Sequence, residues 1–146
     1  MSVETLIRFV HLLAAAYWLG GLLMLALVVV VGTRLLDRDA FRALLVPLAR
    51  SFAWGALVAW LLLAATGYLL ASRRLSGVEA LSGTSYGRRL TLKLVLVVMT
   101  LAATALHVLL GRSTSRRLLI VSRSMAMVAF LLTVGVFYAA ARLVSG

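Results

Sequence analysis

Acidic residues are scarce in this 146-residue chain: Glu4, Asp37, Asp39 and Glu79 are the full set, against 15 lysines and arginines. Cysteine is absent, which excludes disulfides and thiolate metal sites. Proline occurs once, at Pro47, and histidine twice, at His11 and His107. Each shortage removes a class of function. None of the four carboxylates falls within an apolar run, so no acid stands at mid-membrane depth for a proton relay or a hard-cation site. Hydrolytic triads, phosphate-binding glycine loops and zinc spacings are missing as well, which points away from conventional hydrolase or kinase chemistry and makes an enzyme the less favoured reading.

Apolar sequence takes up the space. Hydrophobic residues make up 64% of the chain and charged residues 13%, where a soluble domain carries about 25% charged residues. A membrane span needs about 20 mostly apolar residues, and four runs qualify, at residues 5–33, 50–72, 88–111 and 117–142. Little remains for a soluble domain. The expectation is a single all-α domain over residues 1–146, an integral membrane, antiparallel four-helix bundle with up-down-up-down topology. The first run is too long for a cleavable signal peptide and has no small-residue cleavage site behind it. The net charge of +11 sits at span ends and in loops, where it meets anionic lipid headgroups. The partner so implied is the bilayer, with no basic face left for nucleic acid. A homo-oligomer is compatible with such a chain.

Orientation is balanced. The first and third connections hold Arg34, Arg38, Arg42, Arg50, Arg112, Arg116, Arg117 and Arg123. The opposite side holds Arg8, Arg73, Arg74, Arg88, Arg89, Lys93 and Arg142. Cytoplasmic loops favour arginine and lysine, and eight against seven does not decide the orientation. The long Gly/Ser-containing second connection, Ser72–Gly87, reads as an exported loop, which goes with both termini outside the cytoplasm. The first connection, Thr33–Arg50, reads as a short basic segment on the membrane surface, with Pro47 beside the next span and no span expected to be proline-kinked.

Span three carries a polar stripe. Lys93, Thr100, Thr104, His107 and Gly111 recur with a 3.6-residue period and share one face. Lys93 and His107 are separated by about 21 Å along the helix, so the stripe crosses most of the membrane as a candidate polar pathway. Span one holds His11 and Trp18 on one face with Ala14 and Ala15 between them. That arrangement leaves room for a flat group, either a porphyrin or a neighbouring helix. Ionisable groups inside a membrane mark functional sites by default. Spans one and three run in the same direction, so His11 and His107 are expected near opposite membrane surfaces, too far apart to share one metal ion. Near His11 the same side offers Lys93, Thr66, Tyr68, Tyr138 and Arg142, a cluster able to hold a carboxylate. Near His107, Met125, Met127 and Met24 offer thioether ligands, and a His/Met set suits Cu(I) or haem iron.

Two stretches resemble a known family. One is His11-Leu12-Leu13-Ala14-Ala15-Ala16-Tyr17-Trp18-Leu19-Gly20-Gly21, an H-x6-W-x-G-G pattern on the first span. The other runs from Ser82-Gly83-Thr84-Ser85-Tyr86-Gly87-Arg88 to Lys93, with Thr66-Gly67 late in span two. Together these are similar to the copper resistance protein D (CopD-like) integral membrane domain. The resemblance implies copper binding or transport at a bacterial inner membrane, with a periplasmic copper carrier as partner. His11, Trp18, Gly21, Lys93, His107, Gly111 and Arg112 also resemble landmarks of the HemJ-type protoporphyrinogen oxidase. That resemblance implies porphyrinogen oxidation with haem b on His11 and Lys93 as partner of a propionate or substrate carboxylate. The residues alone allow a haem b protein, electron-transferring or enzymatic, with Trp18, Tyr68 and Tyr138 also around the cofactor. A third reading is a structural or assembly protein whose histidines bond neighbouring helices.

Overall fold

The computed structural model describes residues 2–75, 77, 79–113 and 115–144, the side chains of Leu143 and Val144 excepted. The chain is all-helical among these residues: α1 (Val3–Leu35), α2 (Arg38–Ser72), the short α3 (Ala80–Gly83), α4 (Ser85–Leu110) and α5 (Arg116–Val144). The shortest of the four long helices has 26 residues, about 39 Å at 1.5 Å per residue, against a hydrocarbon core of about 30 Å. All four are long and apolar enough to cross a membrane. They fall into two compact units, Met1–Arg74 and Leu75–Gly146, each built around an antiparallel helical hairpin.

Local chemistry sets the helix starts. Ser2 caps α1 by accepting from the Thr5 amide at 3.1 Å, and Glu4 pairs with Arg8 one turn on. Asp37 caps α2 by accepting from the amides of Asp39 (3.0 Å) and Ala40 (2.8 Å). A carboxylate at that position satisfies amides that have no partner within the helix and complements the positive end of the helix dipole. The cap changes the reading of the first connection. The expected surface segment is instead the opening of α2, so the turn shrinks to Leu36 and Asp37 and Pro47 lies inside the helix. Pro47 has no amide hydrogen for the Ala43 carbonyl, and α2 runs on through that gap.

In the first hairpin, rings on one helix enter glycine notches on the other. A Cβ at Gly21 would lie 2.0 Å from the Phe52 ring, and one at Gly32 would lie 2.7 Å from Phe41. Phe52 stacks on both Tyr17 (5.9 Å) and Trp18 (5.8 Å), and Trp18 meets Trp60 edge to face at 5.1 Å. Ala14, Ala56 and Ala59 are buried around them.

The second hairpin closes on small and hydroxyl residues. Ala103, Ala129 and Ala139 are buried, and Thr100 and Thr133 are each 1% exposed. Small side chains let backbones approach closely where lipid gives no hydrophobic drive for helix association. The second connection contains α3, which folds back onto the first turn of α4. Thr84 caps α4 by accepting from the Gly87 amide at 2.9 Å. A Cβ at Gly87 would stand 2.0 Å from the Ala80 carbonyl oxygen and 2.6 Å from the Leu81 Cα. The glycine of the Tyr-Gly-Arg motif is therefore the seat of α3.

Candidate functional site

Each hairpin holds one histidine on its first long helix, tied through Nδ1 to a hydroxyl residue on its second. In the first hairpin His11 Nδ1 lies 2.8 Å from Thr66 Oγ1. Thr66 also donates to the Leu62 carbonyl one turn back on α2. A hydroxyl has one proton, and here it points at Leu62. Thr66 therefore accepts from His11, and Nδ1 carries the hydrogen.

The second hairpin reaches the same state by another route. His107 Nδ1 lies 2.9 Å from the Ser122 carbonyl oxygen and 3.0 Å from Ser122 Oγ. Ser122 Oγ in turn donates to the His107 carbonyl at 2.9 Å. A carbonyl only accepts, so Nδ1 is again the protonated nitrogen. Ser122 is buried, and His107 Nε2 has no hydrogen-bond partner among the described residues. A histidine with Nδ1–H held on a backbone or side-chain oxygen and Nε2 left as the base is the arrangement found around metal-ligating imidazoles.

The other candidate residues are distributed as follows. Trp18 is buried with Phe52 against one face and Trp60 at its edge. The flat space expected beside it is thus taken up by Phe52 and Trp60 of α2. Tyr68 is 73% exposed. It stands two residues beyond Thr66, about 200° round α2 at 100° per residue, and so faces away from His11. Tyr138 is 66% exposed on α5, with the Arg142 guanidinium 6.0 Å from its ring centre. Met127 is 61% exposed, because five residues carry it about 140° round α5 from Ser122. Met125 is half-buried one turn beyond Ser122. Met24 is exposed and lines an apolar groove of about 450 Å³ with Tyr17, Gly20, Gly21 and Phe52.

The stripe on α4 does lie along one seam, but its hydroxyl protons go to the helix itself. Thr100 donates to the Leu96 carbonyl and Thr104 to the Thr100 carbonyl, both at 2.8 Å. No side-chain chain of hydrogen bonds links Lys93 to His107 through them. Lys93 is half-buried and has no hydrogen-bond or ion-pair partner among the described residues. No group of three His, Cys, Asp or Glu is placed to hold a metal ion among the described residues.

Ser122 was missed in the sequence, because reflecting His107 through the middle of the short connection between α4 and α5 lands on Leu119, about a turn short of it. Gly111 belongs to the same lock. A Cβ there would press on the His107 carbonyl at 3.0 Å and on Ser122 Oγ at 3.3 Å.

Residues 46–143 match the family described as copper resistance protein D. Neither a curated protein nor a solved structure matches the chain. The matched segment takes in about two thirds of the chain, including Thr66, Lys93, His107 and Ser122, while His11 and Trp18 lie before it. Four membrane-length helices and that match together place the chain in the copper resistance protein D family, as a membrane protein related to copper resistance.

Proposed function

We propose that this protein handles copper at the bacterial inner membrane, taking the ion as Cu(I) on imidazole Nε2. The observation that carries the reading is the pair of locks. Two unrelated contacts set an oxygen of the opposite helix against Nδ1 of each histidine, and Nε2 of His107 has no hydrogen-bond partner among the described residues. His107 is the stronger candidate, because Ser122 holds it from two atoms and Met125 supplies a soft thioether one turn further along α5. Imidazole and thioether together suit Cu(I). His11, held by Thr66, is a second and separate candidate. The ion is cargo in this reading, and a periplasmic carrier is the partner that would deliver or receive it.

Copper content per chain of the purified protein tests the proposal. Loading with Cu(I) followed by metal analysis should show bound copper in the wild type and a clear drop in His107→Ala. A smaller drop is expected in His11→Ala. Wild-type copper content in both variants would overturn the reading. Reporter fusions at the two ends test the topology that goes with it, both termini outside the cytoplasm.

A further inference from the structure

The proposal above leaves Lys93 without a role. It lies one turn inside Arg89 on the helix face that meets α5, within about 20° of the buried Thr100 at 100° per residue. Arg89 reaches across the hairpin and donates through Nη1 to the Arg142 carbonyl at 3.1 Å. Arg142 in turn covers the Tyr138 ring. One end of this hairpin therefore gathers Arg89, Lys93 and Arg142, with the exposed Tyr138 hydroxyl as a further donor.

Among the described residues of this hairpin no acid pairs with them. Glu79 is the only acidic residue after Asp39 in the chain, and it makes no ion pair among the described residues. The helix dipoles do not help, because the positive end of α4 and the negative end of α5 meet here and offset one another. Arg89 and Lys93, four residues apart on one helix, repel each other. An ammonium buried to half its surface in a membrane helix is costly unless it meets an anion or escapes to water. The route to the surface passes the two guanidinium groups, which carry the same charge. A phosphate diester at this depth meets all three cations with charge-assisted hydrogen bonds. Arg88 and Arg89 end the apolar run of α4, so Lys93 stands about 6 Å inside that boundary, close to the level of lipid phosphate.

We infer that Arg89, Lys93 and Arg142 form a binding site for the phosphate of one anionic phospholipid. A zwitterionic lipid brings its own cation to the same place and fits less well. The site does not depend on the copper reading.

The full chain purified in detergent, with phosphatidylglycerol or phosphatidylcholine added, tests this by native mass spectrometry. The wild type should retain one phosphatidylglycerol in preference to phosphatidylcholine. Lys93→Met, which keeps the length and apolar stem of the side chain, should retain it about tenfold less well, the loss of one charge-assisted contact. Lys93→Arg should restore retention, and Arg117→Gln at the far end of the hairpin should leave it unchanged. Circular dichroism on each variant reports the helix content, and the Lys93→Arg rescue keeps the test decisive if Lys93→Met folds poorly. Equal retention of the two lipids, or wild-type retention by a folded Lys93→Met, would overturn the site. Displacement of the lipid by millimolar inorganic phosphate would show a free-phosphate site and overturn the lipid assignment.

Discussion

The two hairpins solve one problem with different materials. The first packs rings into notches: Phe52 over Gly21, Phe41 over Gly32, and the Tyr17 hydroxyl where a Cβ at Gly55 would lie within 1.9 Å. The second brings alanines and threonines together, with Thr100 and Thr133 almost wholly buried. Lipid tails are as apolar as the side chains they contact, so neither hairpin gains association energy from leaving water. Shape does the work in the first, and close backbone approach does it in the second. Yet each arrives at a histidine whose Nδ1 proton rests on an oxygen of the opposite helix. A feature reached through two dissimilar packings is not a by-product of either one. For that reason the paired locks carry more weight for function than the aromatic cluster, which has no counterpart in the second hairpin.

The largest expected effect comes from the tightest notch in the second hairpin. At Gly87 the atoms that meet a new Cβ are the backbone of Ala80 and Leu81, which no rotamer change can move aside. Gly87→Val should destabilise the hairpin by about 3 kcal/mol or more, beyond ordinary overpacking. Thermal unfolding in detergent measures this, and unchanged stability would show that α3 is not seated on α4. The adjacent pair Gly20-Gly21 gives a smaller and sharper contrast in the first hairpin. Gly21→Ala should cost about 1–3 kcal/mol, because Phe52 is held between Tyr17 and Trp18 and cannot swing freely. Nothing lies within 4 Å of a Cβ at Gly20, so Gly20→Ala should be neutral or stabilising by up to about 1 kcal/mol through helix propensity. Equal effects at the two positions would break the notch description.

Next in size is removal of the locks themselves. Thr66→Val and Ser122→Ala each delete the hydroxyl opposite a histidine. Interhelical hydrogen bonds in membranes average about 0.6 kcal/mol and reach about 1.7, so thermal stability should fall only slightly. Cu(I) affinity should fall further, by about 10–100-fold, where the deleted group orients a metal-binding ring. Measured at its own histidine, Thr66→Val should show the larger loss, although His107 remains the main site. Ser122→Ala keeps the backbone carbonyl that also holds His107 Nδ1, whereas His11 loses the Thr66 oxygen that fixes its tautomer. A competition titration against a Cu(I) chelator reads the difference. Equal affinities for the two variants and the wild type would leave the locks as packing alone.

The sequence made some of this visible and hid the rest for identifiable reasons. Span positions came within a few residues of the helices, because long apolar runs bounded by arginine leave little choice. The opening of α2 was misplaced, since Arg38–Arg50 is mixed in composition and the Asp37 cap lies well before the apolar run. Ser122 lies about a turn beyond the residue that reflection through the turn between α4 and α5 pairs with His107, and the same operation drifts in the first hairpin. There the reflection pairs Gly21 with Phe52 correctly but misses Thr66, the true partner of His11, by a turn. The H-x6-W-x-x-G pattern was legible as a pattern. Its meaning, one hydrogen bond, one ring stack and one notch against α2, depends on residues more than 30 positions away.

The smallest expected effect separates a packing seam from a pathway. Thr100 is buried and its hydroxyl donates to Leu96 on its own helix, a bond that adds nothing between helices and slightly opposes a straight α-helix. Thr100→Val keeps the volume and the branching at Cβ while removing the hydroxyl. Stability should change by no more than about 0.5 kcal/mol. Thr100→Ala, which leaves a gap between α4 and α5, should cost more, about 1 kcal/mol. Copper accumulation by cells carrying Thr100→Val should then match wild type. If accumulation falls while stability holds, the hydroxyl is needed for passage, and the α4 stripe works as a polar route across the membrane and not only as the seam that closes the second hairpin.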